Sequence, residues 1–378
     1  MATKPKHTEI SAQIETDIAA GKYAAGGRLP SEVQMVKQFS VSRPTIGRAL
    51  RDLEAKGLIE RRAGSGTYVR STRAQSATAR IFGLLVPGLG TTEIFQIICG
   101  EIASLARVNN YGLLWGGSTH PNEDQDDSLE HAEELCQQFI ARKISGVFFA
   151  PAELTQGQEQ ANRRLAESLR GAGIAVVLLD RDLMEFPKRS DFDLVSLDNM
   201  AGGYLVAEHL IKLGCRNLHF VARPLSAATV DARIAGVREA LARKGIEPAP
   251  GWLRTGDPAD MKFVRHLMAG KQADAIICAN DYTAAVLMRS FQSQGVQVPR
   301  DIRVVGFDDV KYATLVSPPL TTVHQPCRDI AVTAFRIMLE RLKEPTLPAK
   351  TIYLSPHLVV RESCGAYLPR TKEKPAAV

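Results

Sequence analysis

No run of about 18 uninterrupted apolar residues occurs in the sequence, so no membrane-spanning helix is expected. The opening residues, MATKPKHTEISAQIETD, lack the apolar stretch of a secretory signal, and a cytoplasmic protein is expected. Cysteine is sparse and scattered, at Cys99, Cys136, Cys215, Cys278, Cys327 and Cys364. None belongs to a Cys-x-x-Cys pair and none lies at ligand spacing from a histidine, which argues against zinc sites and redox motifs. The six read as small buried apolar residues, with no metal and no cofactor expected. Gly-x-Ser-x-Gly, His-Glu-x-x-His and P-loop patterns are absent as well. The glycine-containing loops VPGLGTTE and GDPADMKF do not have phosphate-motif spacing. No enzymatic activity is expected.

What is present is unevenly charged. Residues 1–80 hold 14 lysines and arginines against 7 acidic residues; residues 81–378 hold 33 against 34. A small basic module is joined to a larger, nearly neutral one, which points to a polyanion as partner of the first part only.

In the basic module, Ile10, Ile14 and Ile18 recur every four residues and predict a short helix. AAGGRLP interrupts it. Ser31 then precedes an apolar series through Val33, Val36 and Phe39 and is a good N-cap for a second helix. Ser42 is placed to cap a third, with Pro44 in the first turn, where its missing N–H costs nothing. Ile46, Ala49, Leu50 and Leu53 share one face of that helix, with Pro44, Arg48 and Arg51 opposite and Arg43 between. Arginines at an electropositive helix start are unfavourable unless an anion meets them, and a DNA backbone supplied from outside is the simplest one. Gly57 ends the helix at EAKG, and LIERR-AGSG-TYV predicts two short strands around a glycine turn.

This order of elements is that of a winged helix-turn-helix. The stretch LPSE…FSVSRPTIGRALRDLEAKGLIERRAGSGTYV resembles the GntR family of bacterial regulators over about residues 7–70. The resemblance implies double-stranded operator DNA as partner, with the third helix in the major groove and the wing near the minor groove. It puts Ser42, Arg43, Pro44 and Thr45 against phosphates and base edges and Gly64 at the minor groove. Ser31, Arg48, Arg51, Arg62 and Thr67 complete the set expected to face DNA. The sequence departs from the family at Val33 and Gly47, where arginine is frequent. The bland alternative for Arg48 and Arg51 is a solvated helix face.

RSTRAQSATAR is polar and lacks apolar periodicity, so residues 71–80 read as a linker between the module at 1–70 and the rest. From residue 81, short apolar runs alternate with amphipathic stretches: IFGLLV, GLLWG, GVFFA, AVVLLD, DLVSL, LHFVA, DAIICA and IRVVGF. That pattern predicts an α/β fold with parallel sheets covered on both faces. Its length predicts two Rossmann-like lobes over 81–365, with a polar tail at 366–378 and ligand in the cleft at the carboxyl ends of the strands. Polar residues that follow apolar strands are the site candidates. They are Asp180 and Arg181, Asn280 and Asp281, and Asp308 and Asp309, with Arg233 at a helix start in VDARIAG. A carboxylate or amide paired with Arg233 would hold adjacent hydroxyls, and Phe95 offers a flat apolar surface, a mixture suited to a neutral polyhydroxylated ligand. Structural roles compete: Asp180, Asp198, Asp309 and Asn280 as caps or loop-ordering groups, Phe95 as core, and His324 as a structural side chain.

HLIKLGCRNLHFVA, DARIAGVREAL, ICANDYTA, DIRVVGFDDV and PPLTTVHQP resemble the effector domain of the LacI/GalR family, which shares the periplasmic sugar-binding fold. The match is stronger from residue 195 onward. It implies a homodimer and a small-molecule effector, a sugar, between the lobes, contacted by Phe95, Asp180, Arg181, Arg233, Asn280, Asp308 and Gln325. Together the two resemblances describe an effector-controlled transcriptional repressor of the hybrid class. Other readings kept open are a regulator with a non-sugar effector or none, a binding protein without regulatory role, and an enzyme of sugar or nucleoside chemistry.

Overall fold

The computed structural model describes residues 6–19, 22–23, 26–56, 58–62, 65–69, 80–86, 93–116, 127–154, 156–269 and 273–368. Two compact units result, Met1–Ala79 and Arg80–Val378, called here the head and the body. Gly57, Gly64 and most of the expected linker lie outside the described residues, as does the side chain of Arg62.

The head runs α1 (Lys6–Ala19), α2 (Glu32–Phe39), α3 (Arg43–Ala55), β1 (Ile59–Arg62) and β2 (Gly66–Val69). The isoleucine stripe of α1 faces inward, with Ile10 and Ile14 buried against Ile46, Ala49, Leu50 and Leu53 of α3. Ser31 caps α2 as expected. Its hydroxyl accepts from the Gln34 amide at 3.3 Å, and the Gln34 side chain accepts from the Ser31 amide at 2.8 Å, a reciprocal capping box. Ser40 ends α2 in the left-handed region, φ 51°. Ser42 departs from expectation. It occupies the N-cap position of α3, but its hydroxyl bonds the Thr45 hydroxyl at 2.8 Å and no helix amide. A threonine hydroxyl in the first turn is the nearer partner, and Thr45 N–H is taken by the Ser42 carbonyl instead, at 3.0 Å. β1 and β2 pair antiparallel from Ile59–Val69 to Arg62–Gly66, and the Leu29 amide donates to the Thr67 carbonyl at 2.9 Å, tying the wing to the chain before α2.

The body has two lobes. Lobe 1 contains β3 (Ile81–Leu85), α4 (Glu93–Val108), β4 (Gly112–Trp115), α5 (Asp127–Ala141), β5 (Gly146–Phe149), α6 (Gln158–Gly171), β6 (Ala175–Leu179) and β7 (Asp193–Leu197). Lobe 2 contains α7 (Asn199–Lys212), β8 (Leu218–Ala222), α8 (Ala228–Arg243), β9 (Leu253–Thr255), α9 (Met261–Met268), β10 (Ala275–Cys278), α10 (Asp281–Ser293), β11 (Arg303–Asp308), α11 (Tyr312–Leu315) and β12 (Thr321–His324). The chain returns to lobe 1 as α12 (Cys327–Lys343) and β13 (Thr351–Leu354), then ends in lobe 2 with β14 (His357–Val359).

Each lobe is built on a six-stranded sheet, in the orders β13-β7-β6-β5-β3-β4 and β14-β12-β11-β10-β8-β9, parallel except for β14. Central strands such as β5 (Gly-Val-Phe-Phe) are buried on both faces, which is why they read as continuous apolar runs. One face of the lobe-1 sheet packs on α4 and α12, with Phe82, Phe148 and Phe335 in mutual contact; the other packs on α5 and α6. In lobe 2, α7 and α8 cover one face and α9 and α10 the other. The chain therefore crosses between lobes three times, at 197–199, 324–327 and 354–357. All six cysteines are buried and unpaired. The body also continues past the expected boundary at 365, because Ala366 packs on the lobe-2 core. Among the described residues no helix is long and apolar enough to cross a membrane.

Candidate functional site

Two surfaces gather the candidate residues, one in each unit. On the head, Ser42, Arg43, Pro44, Arg48 and Arg51 are exposed along α3, opposite its buried face. Arg43 is not without an internal anion, as the sequence had suggested. Its Nε lies 3.1 Å from Glu32, and Arg61 of β1 lies 3.0 Å from the other oxygen of the same carboxylate. Glu32 thus joins the start of α2, the start of α3 and the wing. Its acidic charge also suits the electropositive first turn of α2. Exposed pairs of this kind add little to stability, so their effect is on where the two arginines point. Arg48 and Arg51 make no ion pair with a described residue.

The second surface lies where the strands of the two lobes end. Asp180 follows β6 and Asp308 ends β11, both at positive φ (69° and 109°), and both are buried. Positive φ costs a non-glycine residue roughly 1–3 kcal/mol, so the surrounding bonds must enforce it. Gln325, on the second crossing, supplies two of them. Its Nε2 donates to Asp180 Oδ1 at 2.7 Å, and its backbone N–H donates to the Asp308 carbonyl at 3.2 Å.

Arg233 projects from α8 into the same cluster. Its Nε donates to Asn199 Oδ1 at 2.8 Å, its Nη1 donates to the Ala279 carbonyl, and its Nη2 lies 3.5 Å from Asp308 Oδ1. The guanidinium stacks on Phe307 at 4.5 Å. Arg181 pairs with Glu153 at 2.7 Å, approaches Asp180 at 3.4 Å, and lies 5.2 Å from the Phe95 ring centre. Phe95 is therefore core, as part of the α4 face, with the Arg181 guanidinium beside its ring. Asn280 caps α10, accepting from the Thr283 amide at 2.8 Å.

Burial pushes the Asp308 carboxyl up to about 7; Arg233 opposes the rise, and the neighbouring Asp180 and Glu153 add to it. Asp281, fully buried, is raised well above the carboxylate range by burial and then by Asp308, although the Thr322 hydroxyl (2.6 Å) and the Val310 amide (3.1 Å) donate to it. Asp198 caps α7. Asp309 is bound by His324 at 2.9 Å and Arg361 at 2.7 Å; burial works against its ionisation, but these bonds hold it below its ordinary value. Asp309 and His324 are thus tied up within lobe 2.

The cluster is incompletely satisfied. Asp308 Oδ1, Gln325 Oε1 and Arg181 Nε are buried without a hydrogen-bond partner among the described residues. Buried polar atoms normally have partners; here the Gln325 oxygen has none among the described residues, while Asp308 Oδ1 and Arg181 Nε each meet only a long ion-pair contact, at 3.5 and 3.4 Å, and two acceptors and a donor so placed in one cleft suit hydroxyl groups. The cleft is closed at the side remote from the crossings. The Ala227 amide donates to Glu153 at 3.1 Å, and the Leu225 carbonyl accepts from Leu154 N–H at 2.8 Å and Gln158 Nε2 at 3.1 Å.

Glu153 and Asn199 were not among the sequence candidates. Both follow apolar strands within a few residues, the signal that identified Asp180 and Asp308, and both were passed over. They are also the residues through which Arg181 and Arg233 are oriented.

Comparison with known proteins bears on both surfaces. Residues 6–69 match the bacterial regulatory proteins of the gntR family, and residues 207–364 match the periplasmic binding protein-like domain. The chain is 27% identical to an arabinose metabolism transcriptional repressor of Geobacillus stearothermophilus, with 96% of this chain and 98% of that one covered. It is 29% identical to the HTH-type transcriptional repressor PurR of Vibrio atlanticus (strain LGP32), over 78% and 85% of the two chains. Among solved structures, the transcriptional regulator CelR in complex with cellobiose superposes with a TM-score of 0.64 at 22% identity, covering 85% of this chain and 91% of that one. A LacI-family regulator from Enterococcus faecium with bound ribose gives 0.60 at 23%, covering 75% and 98%.

Proposed function

Because the chain joins a DNA-binding head of the gntR family to a periplasmic-binding-protein-like body, we propose that it is a transcriptional repressor whose hold on operator DNA is set by a sugar bound between the lobes. The observation that supports the sugar reading is the trio of buried polar atoms without a hydrogen bond among the described residues, at Asp308, Gln325 and Arg181, flanked by Arg233 and by Phe95. Carboxylate and amide oxygens accept from hydroxyls, guanidinium groups donate to them, and no fixed charge in the ligand is required. The ligand favours one lobe arrangement, and the coupling to DNA need be only about 1–3 kcal/mol to change occupancy severalfold or more. A homodimer presents two heads to a two-fold operator. The exposed Leu315 and Tyr282 of lobe 2 support an apolar contact between copies.

Selection of operator sequences from random duplexes by the full chain, followed by titration of the bound complex with pentoses, hexoses and polyols, tests the reading. A sugar that releases the DNA supports it. Retention of DNA with every sugar, while none raises the melting temperature, sinks it.

On the head, Arg43→Ala is expected to weaken operator binding by roughly tenfold to a hundredfold and to relax preference at one base pair, as loss of a good base contact does. Unchanged affinity and preference would remove Arg43 from the interface. In the body, a ligand hydroxyl bonds the ionised Asp308 carboxylate more strongly than the protonated form, so binding lowers its pKa from about 7 and releases a proton. Affinity is therefore expected to rise between about pH 6 and pH 8. Calorimetry in buffers of different ionisation enthalpy should show proton release at pH 7, and proton uptake would contradict the assignment.

A further inference from the structure

Beside the charged cluster, on the side of the lobe crossings, lies a chamber of about 200 Å³. Lobe 1 contributes Asp182, Phe186, Arg189, Ser196 and Tyr353; lobe 2 contributes Met200, Ala228 and Thr229. Asp180, Arg181 and Asn199 line the chamber and also belong to the cluster, so the two spaces share a wall.

We propose that the chamber is a second compartment of the effector site and that the effector has two units, a sugar ring in the cluster and a second neutral, hydroxylated ring or glycosidic substituent in the chamber. This rests on the sugar reading above and adds the size class. The direction follows from the closure already described. Bonds from Glu153, Leu154 and Gln158 to Leu225 and Ala227 shut the remote side of the cleft, so among the described residues the space for a second unit lies toward the crossings.

The lining selects the chemistry. Its carboxylates are already engaged: Asp182 by the Met184 and Ser190 amides, Asp198 by the Ala201 amide, Asp180 by Gln325. Arg189 sits over the rings of Phe186 and Tyr353 at 6.0 and 5.5 Å. The lining carries both signs, Asp180, Asp182 and Asp198 against Arg181 and Arg189, so no one sign of ionic group is favoured, and charged groups of both kinds can bond neutral hydroxyls. Of the neutral polar groups, Ser196 and Asn199 are engaged with the Asp180 carbonyl, the Leu197 carbonyl and Arg233, which leaves the Thr229 hydroxyl beside aromatic surface. A volume under the roughly 300 Å³ at which pockets begin to take drug-sized molecules admits one ring and not a longer chain.

The test uses the full chain and compares arabinose, ribose, xylose, glucose and galactose with their methyl glycosides and with cellobiose, maltose and lactose, by calorimetry and thermal shift. A two-unit sugar is expected to bind more tightly than its single-ring counterpart. Ala228→Phe, which fills the chamber from the first turn of α8, should lower affinity for the two-unit sugar by about tenfold or more and leave the single ring unchanged. Retained single-ring binding is the check that the variant folds. Tyr353→Ala, at an exposed edge of the chamber, should show the same selective loss should Ala228→Phe not fold. Equal affinity for single-ring and two-unit sugars, unaltered by either variant, overturns the proposal and leaves the sugar reading standing. Absence of binding by every sugar overturns both.

Discussion

Gly203→Ala is expected to lower the melting temperature of the body and to abolish its response to effector, while the head keeps its affinity for DNA. Helices α7 and α8 meet through two glycines. A Cβ at Gly203 would overlap the carbonyl oxygen of Arg233, and one at Gly236 would overlap the carbonyl oxygen of Met200. Both obstacles are backbone atoms, which cannot rotate away as a side-chain end would. The helices must move apart, and overpacking of this kind costs about 1–3 kcal/mol, more where backbone must shift. The displaced helix is the one that carries Arg233, and the other begins with Asn199, which accepts from Arg233 Nε. Loss of geometry at the cluster therefore accompanies loss of stability. Both tryptophans, Trp115 and Trp252, lie in the body, so thermal unfolding followed by their fluorescence reads the body alone. Gly236→Ala should act in the same direction. Gly47→Ala is the contrasting case. Nothing lies within 4 Å of its added Cβ in α3, and helix propensity alone should raise head stability by about 0.5–1 kcal/mol. A Gly203→Ala protein with wild-type melting and an intact response would show that the helices separate without disturbing Arg233.

The periodicity of α3 and the buried runs of β3, β5, β6 and β11 were legible because burial on one or both faces leaves a mark on every residue of the element. β9, β13 and β14 left no such mark. They are strands of three or four residues with largely exposed or half-exposed side chains, so their sequences carry little apolar signal. The site candidates at Asp180, Arg233, Asp308 and Gln325 converge because parallel strands deliver their ends to one edge of each sheet. Sequence position alone could suggest this. Partnership could not be read in the same way. The start of α3 alone points to an external anion for Arg43, whereas Glu32, eleven residues earlier, is brought to 3.1 Å only by the crossing of α2 and α3. Likewise, nothing local in the sequence says that Arg181 would be oriented by Glu153 or that Gln325 would reach Asp180 from the second crossing. Contacts made between distant segments depend on packing angles, which residue spacing does not encode.

Arg233→Ala should have the larger consequence of the two, and its size should depend on pH. Arg233 is buried with three partners, the Asn199 side chain, the Ala279 carbonyl and the Asp308 carboxylate. Truncation leaves two acceptors without a donor and removes the cation that holds down the Asp308 pKa, which burial already raises to about 7. In the variant that pKa rises further. A carboxyl raised in the folded state binds its proton more tightly there than when unfolded, so the contribution is fully present at low pH and is lost as pH rises through the folded value. At pH 5–6 Asp308 in the variant is protonated, and the cost is limited to lost hydrogen bonds and packing. At pH 8 folding must either hold an uncompensated buried charge or keep the proton against solution, and a loss of about 3–5 kcal/mol is expected, as for a buried pair deprived of one partner. The difference in stability between wild type and Arg233→Ala should therefore widen between pH 6 and pH 8. Adding Asp308→Asn to the variant removes the charge and should recover most of that widening, though not effector binding, because the guanidinium at 233 and the carboxylate at 308 are then both gone. Denaturant titrations of wild type, Arg233→Ala, Asp308→Asn and the double variant at pH 6 and pH 8 form a double-mutant cycle that isolates the pair. A pH-independent deficit in Arg233→Ala, unaffected by Asp308→Asn, would mean that Arg233 stabilises the cleft through Asn199, Ala279 and Phe307 alone.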